Sequence, residues 1–132
     1  MVLIIGGAYQ GKLTYAVKHF GLSRDEIFDL ENLADIPVSE AEIPTGCRCF
    51  FHLESLTKKA AEENISPEEL ISLLQKRFSD AIIISREIGS GIVPADAFGR
   101  RYRELHGAVL SALAMRSQSV IRIFCGLAEK LK

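Results

Sequence analysis

Gly6, Gly11 and Lys12 stand at the spacing G-x-x-x-x-G-K, and those residue types in that order point to one chemistry, the holding of a chain of phosphates. Backbone N–H groups must converge on the oxygens at close range, so side chains have to be missing where the chain comes nearest. Glycine supplies this. A helix opening near Gly11 would aim its unpaired amides and the positive end of its dipole at the same point, while Lys12 adds a full charge toward the outer phosphates. The run Gly6-Gly7-Ala8-Tyr9-Gln10-Gly11-Lys12-Leu13-Thr14 is the candidate nucleotide-binding segment, for GTP or ATP, with Lys12 the first catalytic candidate. Its eighth position breaks the pattern. A Ser or Thr hydroxyl there would bind magnesium; Leu13 offers no ligand, so dependence on magnesium should be weak. The plainer alternative is a glycine turn that binds nothing.

Two more candidates close apolar runs. Glu87 follows Asp80-Ala81-Ile82-Ile83-Ile84-Ser85 and precedes a Gly89-x-Gly91 turn, where a carboxylate could hold a magnesium-bound water or a substrate hydroxyl. A solvated loop acid would look the same. His52, at the end of the run 47–53, could be a base or a nucleophile, or an ordinary strand-end histidine. His19 and His106 lie in helical patterns and read as surface or packing residues. Cys47 and Cys49 share a face of one strand-like run, and Cys125 lies in another. Without zinc-ligand spacing these cysteines read as small buried hydrophobes.

The elements that must position these groups are legible in outline. Val2-Leu3-Ile4-Ile5 is a short buried strand, residues 14–20 a helix stopped by Gly21, and 27–30 a strand after a candidate capping box at Ser23 and Glu26. Residues 31–46, with Pro37, Pro44 and Gly46, read as a connection over the surface. A strand at 47–53 and a helix at 55–63 follow, and Ser66-Pro67-Glu68-Glu69 opens another helix. Residues 80–85 are apolar on both faces, as a central parallel strand should be. A long helix over 95–115 carries Phe98, Tyr102, Leu105, Val109 and Ala112 or Leu113 on one face; Arg100, Arg101 and Arg103 face either an anionic substrate or, more simply, water. A last strand at 119–125 ends at Gly126, before a short amphipathic tail. This alternation predicts one α/β domain over 1–132, a three-layer P-loop NTPase-like fold with a mostly parallel sheet of about five strands. Ligands in such folds bind beyond the carboxyl ends of the strands, which puts residues 6–14, 52–55 and 86–94 along one edge.

Composition sets the bounds. The chain has 132 residues, 48% hydrophobic, with net charge −1 and a pI near 6.3, so nothing global draws it to nucleic acid or to an acidic membrane. It shows no leader-like start and no run long enough to span a bilayer, which makes the cytoplasm the expected location.

Two stretches together resemble the bifunctional adenosylcobinamide kinase/adenosylcobinamide-phosphate guanylyltransferase family. Gly6-Gly7-Ala8-Tyr9-Gln10-Gly11-Lys12 is similar to its opening loop, and Ser85-Arg86-Glu87-Ile88-Gly89-Ser90-Gly91-Ile92-Val93-Pro94 to its second signature, with agreement at Glu87, Gly89, Gly91, Ile92, Val93 and Pro94. The likeness continues through Arg101, Tyr102, Arg103 and Gly107 to Gly126. It implies nucleotide-dependent phosphoryl transfer in cobalamin synthesis or salvage, with a corrinoid substrate, Lys12 and Glu87 in the chemistry, and scope for a homo-oligomer. Family members also carry a histidine among arginines that takes a guanylyl group from GTP. Residues 30–46 contain neither residue type, the middle of the chain is shortened, Arg86 replaces an asparagine, Leu13 a serine, and His52 stands where the family's strand ends in an aspartate. The guanylyltransferase half is therefore expected to be lost. The rival reading is a non-catalytic nucleotide-binding accessory protein of the same pathway.

Overall fold

The computed structural model describes residues 1–89 and 94–132. Among these, the sheet has six strands: β1 (Val2–Gly6), β2 (Ile27–Asp29), β3 (Cys49–Phe51), β4 (Ile82–Arg86), β5 (Ser119–Phe124) and β6 (Leu127–Lys130). Their order is β2-β3-β4-β1-β5-β6; every adjacent pair is parallel except β5 and β6. The helices are α1 (Lys12–Phe20), α2 (Leu53–Glu62), α3 (Pro67–Arg77) and α4 (Ala97–Arg116).

Side chains alternate across the strands and so build two cores. Leu3, Phe50, Ile83 and Val120 meet Leu53, Leu56, Leu70, Leu74, Leu105, Val109 and Leu113 of α2, α3 and α4 on one face. Ile4, Cys49, Ile82, Ile84, Ile121 and Ile123 meet Ala16 and its neighbours on α1 on the other. Layers of three helices, sheet and one helix result, which is the α/β three-layer class that the alternation predicts. No helix among the described residues is long and apolar enough to cross a membrane.

Four local expectations are corrected. The tail after Gly126 is a sixth strand, joined to β5 through a tight turn in which Cys125 and Gly126 both have positive φ (49° and 76°). Its side chains are exposed throughout, so no alternation of apolar and polar residues announces it. Residues 31–46 are not simply superficial: Leu33, Val38 and Ala41 are buried in the larger core, and Glu63 fixes the passage by accepting from the Val38 amide (3.0 Å). The third strand is only Cys49–Phe51, and α2 begins at Leu53, so His52 caps a helix in the left-handed region (φ 62°) instead of ending a strand. Of the cysteines, Cys49 is buried, Cys47 partly buried and Cys125 exposed.

Candidate functional site

β1 runs directly into the glycine loop, and α1 starts at Lys12. Gly6 is required by close approach: a Cβ there would lie 2.4 Å from the Ile123 carbonyl oxygen of β5. Tyr9 and Gly11 take left-handed conformations (φ 56° and 88°), which fold residues 7–11 around the helix start. Gln10 ties the loop to the β5–β6 turn, its Oε1 accepting from the Cys125 amide (2.5 Å) and its carbonyl from the Gly126 amide (3.0 Å). Lys12 donates from Nζ to the Gly7 carbonyl (2.5 Å). Partial burial lowers its pKa, opposed by the nearby Glu54 and Glu87 carboxylates.

A cleft of about 210 Å³ opens on the β3–β4 side of the loop. Tyr9, Gln10, Gly11, Lys12, Leu13 and Thr14 line one wall, and Phe51, His52, Glu54, Ile84, Ser85 and Arg86 the other. Two of the three strand-end segments named from sequence thus meet at one edge, joined by the first residue of the third; Ser90, Gly91, Ile92 and Val93 of that third segment lie outside the described residues.

The cleft's carboxylate is Glu54, in the first turn of α2 and only 6% exposed. Its Oε2 accepts from the Arg86 amide (3.0 Å) and the Ser85 hydroxyl (3.3 Å), while Oε1 faces Arg86 Nε at 3.6 Å. Behind it a polar chain runs inward. Ser85 Oγ lies 3.1 Å from His106 Nε2, His106 Nδ1 is 2.7 Å from Thr57 Oγ1, and Tyr102 donates to the Glu54 carbonyl (2.9 Å). Burial lowers the His106 pKa, so the ring is held neutral, and burial with the Glu54 charge pushes Tyr102 up to about 12. His106 is therefore a packed polar residue that braces the site, as its place in a helical pattern suggested. The sequence reading placed Glu54 at the cleft edge but gave it no role. The available signal was Glu54 and Thr57 standing between Leu53, Leu56, Ala60 and Ala61 on the buried face of α2.

The other candidates take different places. Glu87 follows β4 beside Gly6, donating its amide to the Gly6 carbonyl (3.0 Å), and pairs with Arg122 of β5 at 3.2 Å, so it does not line the cleft with Glu54. His52 stands at the cleft rim with Nδ1 2.8 Å from Asp29 Oδ1 and 3.8 Å from Glu31 Oε2. His19 stacks on Tyr15 on the outer face of α1. Leu13 lines the cleft and packs against the α1-side core, contributing carbon alone. Carboxylate oxygens near the loop that could serve a magnesium ion include Glu54 Oε1 within the cleft, the Asp29–Glu31–His52 group at its rim, and Glu87, whose charge reaches Lys12.

Residues 47–131 match the family profile of cobinamide kinase / cobinamide phosphate guanyltransferase (CobU). The chain is similar to the bifunctional adenosylcobalamin biosynthesis protein CobU of Escherichia coli (strain K12), 30% identical over 76 residues that cover 56% of this chain and 42% of that protein. It is also similar to the bifunctional adenosylcobalamin biosynthesis protein CobU of Salmonella typhimurium (strain LT2), 24% identical over 180 aligned positions that span 100% of this chain and 99% of the relative. The first of these alignments spans less than half of its relative. The profile match takes in β3, Glu54, β4, α4 and β5 and begins after the glycine loop. The chain belongs to the cobinamide kinase / cobinamide phosphate guanyltransferase family.

Proposed function

We propose, from that membership and the geometry of the cleft, that the chain binds GTP or ATP through residues 6–14 and transfers the terminal phosphoryl group to the hydroxyl of a cobinamide-type corrinoid. The observation that carries this reading is the convergence of Lys12 and the buried Glu54 on one cleft at the carboxyl edge of the sheet. Anionic phosphates are the natural occupants of a helix start flanked by a lysine, and a carboxylate across from them suits an acceptor hydroxyl. The acceptor oxygen bonds to the terminal phosphorus, the bond from that phosphorus to its bridging oxygen breaks, and the nucleoside diphosphate leaves. Glu54 receives the hydroxyl proton, while Lys12 and the loop amides stabilise charge on the transferred group. Magnesium arriving with the nucleotide would be held by phosphate oxygens and water, with Glu54 Oε1 the carboxylate atom available to that water. Glu87, paired with Arg122, contributes a second negative field near Lys12.

Guanylyl transfer is not part of this reading, because residues 30–46 hold no histidine or arginine. One observation favours a second reading. His52 is oriented by Asp29 at 2.8 Å, the relation of a nucleophile or base to its positioning carboxylate. Intact-mass measurement after incubation with GTP separates the two: no adduct is expected, whereas a stable gain of one guanylyl unit, lost in His52→Ala, would promote His52 to nucleophile.

The direct test is calorimetry with GTP and ATP on wild type and Lys12→Ala, followed by incubation of γ-labelled nucleotide with adenosylcobinamide. Binding that Lys12→Ala weakens at least about tenfold is expected, with label passing to the corrinoid. No binding at near-millimolar nucleotide would make the loop merely structural. Binding without label transfer would favour the accessory protein, the reading that Leu13 supports.

A further inference from the structure

The polar chain behind Glu54 has a direction. It joins Thr57 of α2, His106 of α4 and Ser85 of β4, all buried. Each hydroxyl has one proton to give, and a neutral imidazole carries its own on one nitrogen alone. Where those protons lie decides what Ser85 does to the carboxylate.

The Arg86 carbonyl fixes the first of them. It stands 3.0 Å from His106 Nε2, and a carbonyl oxygen only accepts, so Nε2 carries the hydrogen and Nδ1 the lone pair. The opposite arrangement would set two lone pairs against each other in a buried setting. Nδ1 then accepts from the Thr57 hydroxyl at 2.7 Å. Thr57 is free to donate there because the Glu54 carbonyl, its other close acceptor at 3.0 Å, is served by the Tyr102 hydroxyl at 2.9 Å. Ser85 Oγ, 3.1 Å from Nε2, faces a donor and cannot give its proton to the ring. Two acceptors are left to it, Glu54 Oε2 at 3.3 Å and the Arg86 carbonyl at 3.2 Å. The carbonyl already takes the Nε2 hydrogen and the other acceptor is a charged oxygen, so the proton goes to Glu54.

On the reading of Glu54 as the base for the acceptor hydroxyl, we infer that His106 is a positioning residue: its Nε2–H occupies the Arg86 carbonyl, which turns the Ser85 hydroxyl onto Glu54 Oε2 and leaves Oε1 to take the proton. Oε2 then holds two donors, the Arg86 amide and Ser85, while Oε1 has only Arg86 Nε at 3.6 Å. In the transfer step the acceptor hydroxyl gives its proton to Oε1 as its oxygen bonds to the terminal phosphorus and the bond from that phosphorus to the bridging oxygen breaks. His106 neither gains nor loses a proton. Without the ring, the vacated Arg86 carbonyl competes for the Ser85 proton, and the carboxylate loses part of the restraint that aims it.

The test joins a spectrum to kinetics. Nitrogen NMR of wild type carrying isotope-labelled histidine, recorded above neutral pH, should show His106 in the Nε2–H form, its signal identified by its absence in His106→Gln. Phosphoryl transfer from GTP to adenosylcobinamide is then followed in His106→Gln and His106→Asn, with thermal melts confirming that each is folded. Both amides are neutral donors, but the glutamine nitrogen reaches about as far as Nε2 and the asparagine nitrogen only about as far as Nδ1. His106→Gln should keep kcat within about threefold of wild type and His106→Asn should lower it about tenfold, with the KM for GTP within about twofold in both. In a Ser85→Ala background, which has no hydroxyl to direct, His106→Asn should lower kcat by less than about twofold further. A residue that only filled space would cost as much with Ser85 as without it. An Nδ1–H tautomer, equal kcat in the two amide variants, or a full tenfold loss in the Ser85→Ala background overturns the inference and leaves the base reading standing on Glu54→Gln. If wild type transfers no phosphoryl group, the reading of Glu54 as base falls and this role falls with it.

Discussion

The two flanks of the glycine loop are built in opposite ways. On the β3–β4 flank, Glu54, Ser85, His106 and Thr57 are all buried, and each is hydrogen-bonded to the next. No buried side-chain nitrogen or oxygen among the described residues lacks a partner. On the β5–β6 flank, β6 is exposed along its length, Phe124 and Leu127 are 65% and 75% exposed, and the turn reaches the loop through Gln10. A desolvated carboxylate interacts strongly and must be held firmly, because each unmet hydrogen bond around it is costly. The difference separates a desolvated, fully hydrogen-bonded flank from an exposed one.

Glu54→Ala tests that contrast most severely. It takes the acceptor from the part-buried Arg86 amide and leaves the Ser85 hydroxyl to the Arg86 carbonyl and His106, so denaturant melts should show a loss of about 2 kcal/mol. Glu54→Gln, which keeps an acceptor, should stay within about 1 kcal/mol of wild type yet lower phosphoryl transfer about a hundredfold. A Gln variant with full activity would move the base elsewhere.

The next effect belongs to His106 and appears in the pH dependence of stability. Unfolded, the ring titrates near the ordinary value of 6.5; folded, burial holds its pKa lower. The unfolded chain therefore takes up a proton first as pH falls, so this contribution is intact above the ordinary value and declines below it toward the folded one. His106→Asn should flatten the decline between neutral pH and pH 5. An unchanged slope would mean that His106 binds its proton without penalty in the fold.

The exposed β5–β6 flank should respond less. Gln10→Ala removes one side-chain acceptor at a partly exposed position, leaving the Gly126 amide bonded to the backbone of residue 10. A loss of about 1 kcal/mol is expected, readable in the same melts. A loss matching that of Glu54→Ala would erase the distinction between the flanks.

What the sequence disclosed follows the same division. The loop was legible because its glycines and lysine act through local backbone geometry at fixed spacing, and β4 because a short run apolar on both faces suits a strand covered by helices on both sides. The buried face of α4 was legible from its helical period, with Leu113 rather than Ala112 continuing the line of Leu105 and Val109 inward. Glu54 shows in the sequence only as part of the edge segment 52–55, because a strand extended to Leu53 and a helix started at Ser55 leave it between elements. The buried face of α2 appears only when the helix begins two residues earlier. Leu33, Val38 and Ala41 are buried singly along irregular backbone, which has no period to detect. β6 is an exposed edge strand whose partner is fixed by the β5–β6 turn, not by its own pattern.

The smallest expected effect concerns Leu13, which lies where the two flanks meet. It lines the Glu54 cleft and packs on the α1-side core, and its side chain can neither coordinate magnesium nor accept a hydrogen bond from magnesium-bound water. Thr14 carries a hydroxyl but stands about 100° further round the helix, so it lines the cleft without taking the place of Leu13. Triphosphate affinity in wild type should therefore change by no more than about threefold between magnesium and chelator, whereas Leu13→Ser should raise that ratio to about tenfold. The serine variant gives up some apolar packing, so the ratio of affinities within each protein is the quantity to compare. If wild type already requires magnesium for tight binding and Leu13→Ser leaves the ratio unchanged, the ion is held from across the cleft by Glu54. The β3–β4 flank would then supply the metal contact that the loop itself lacks.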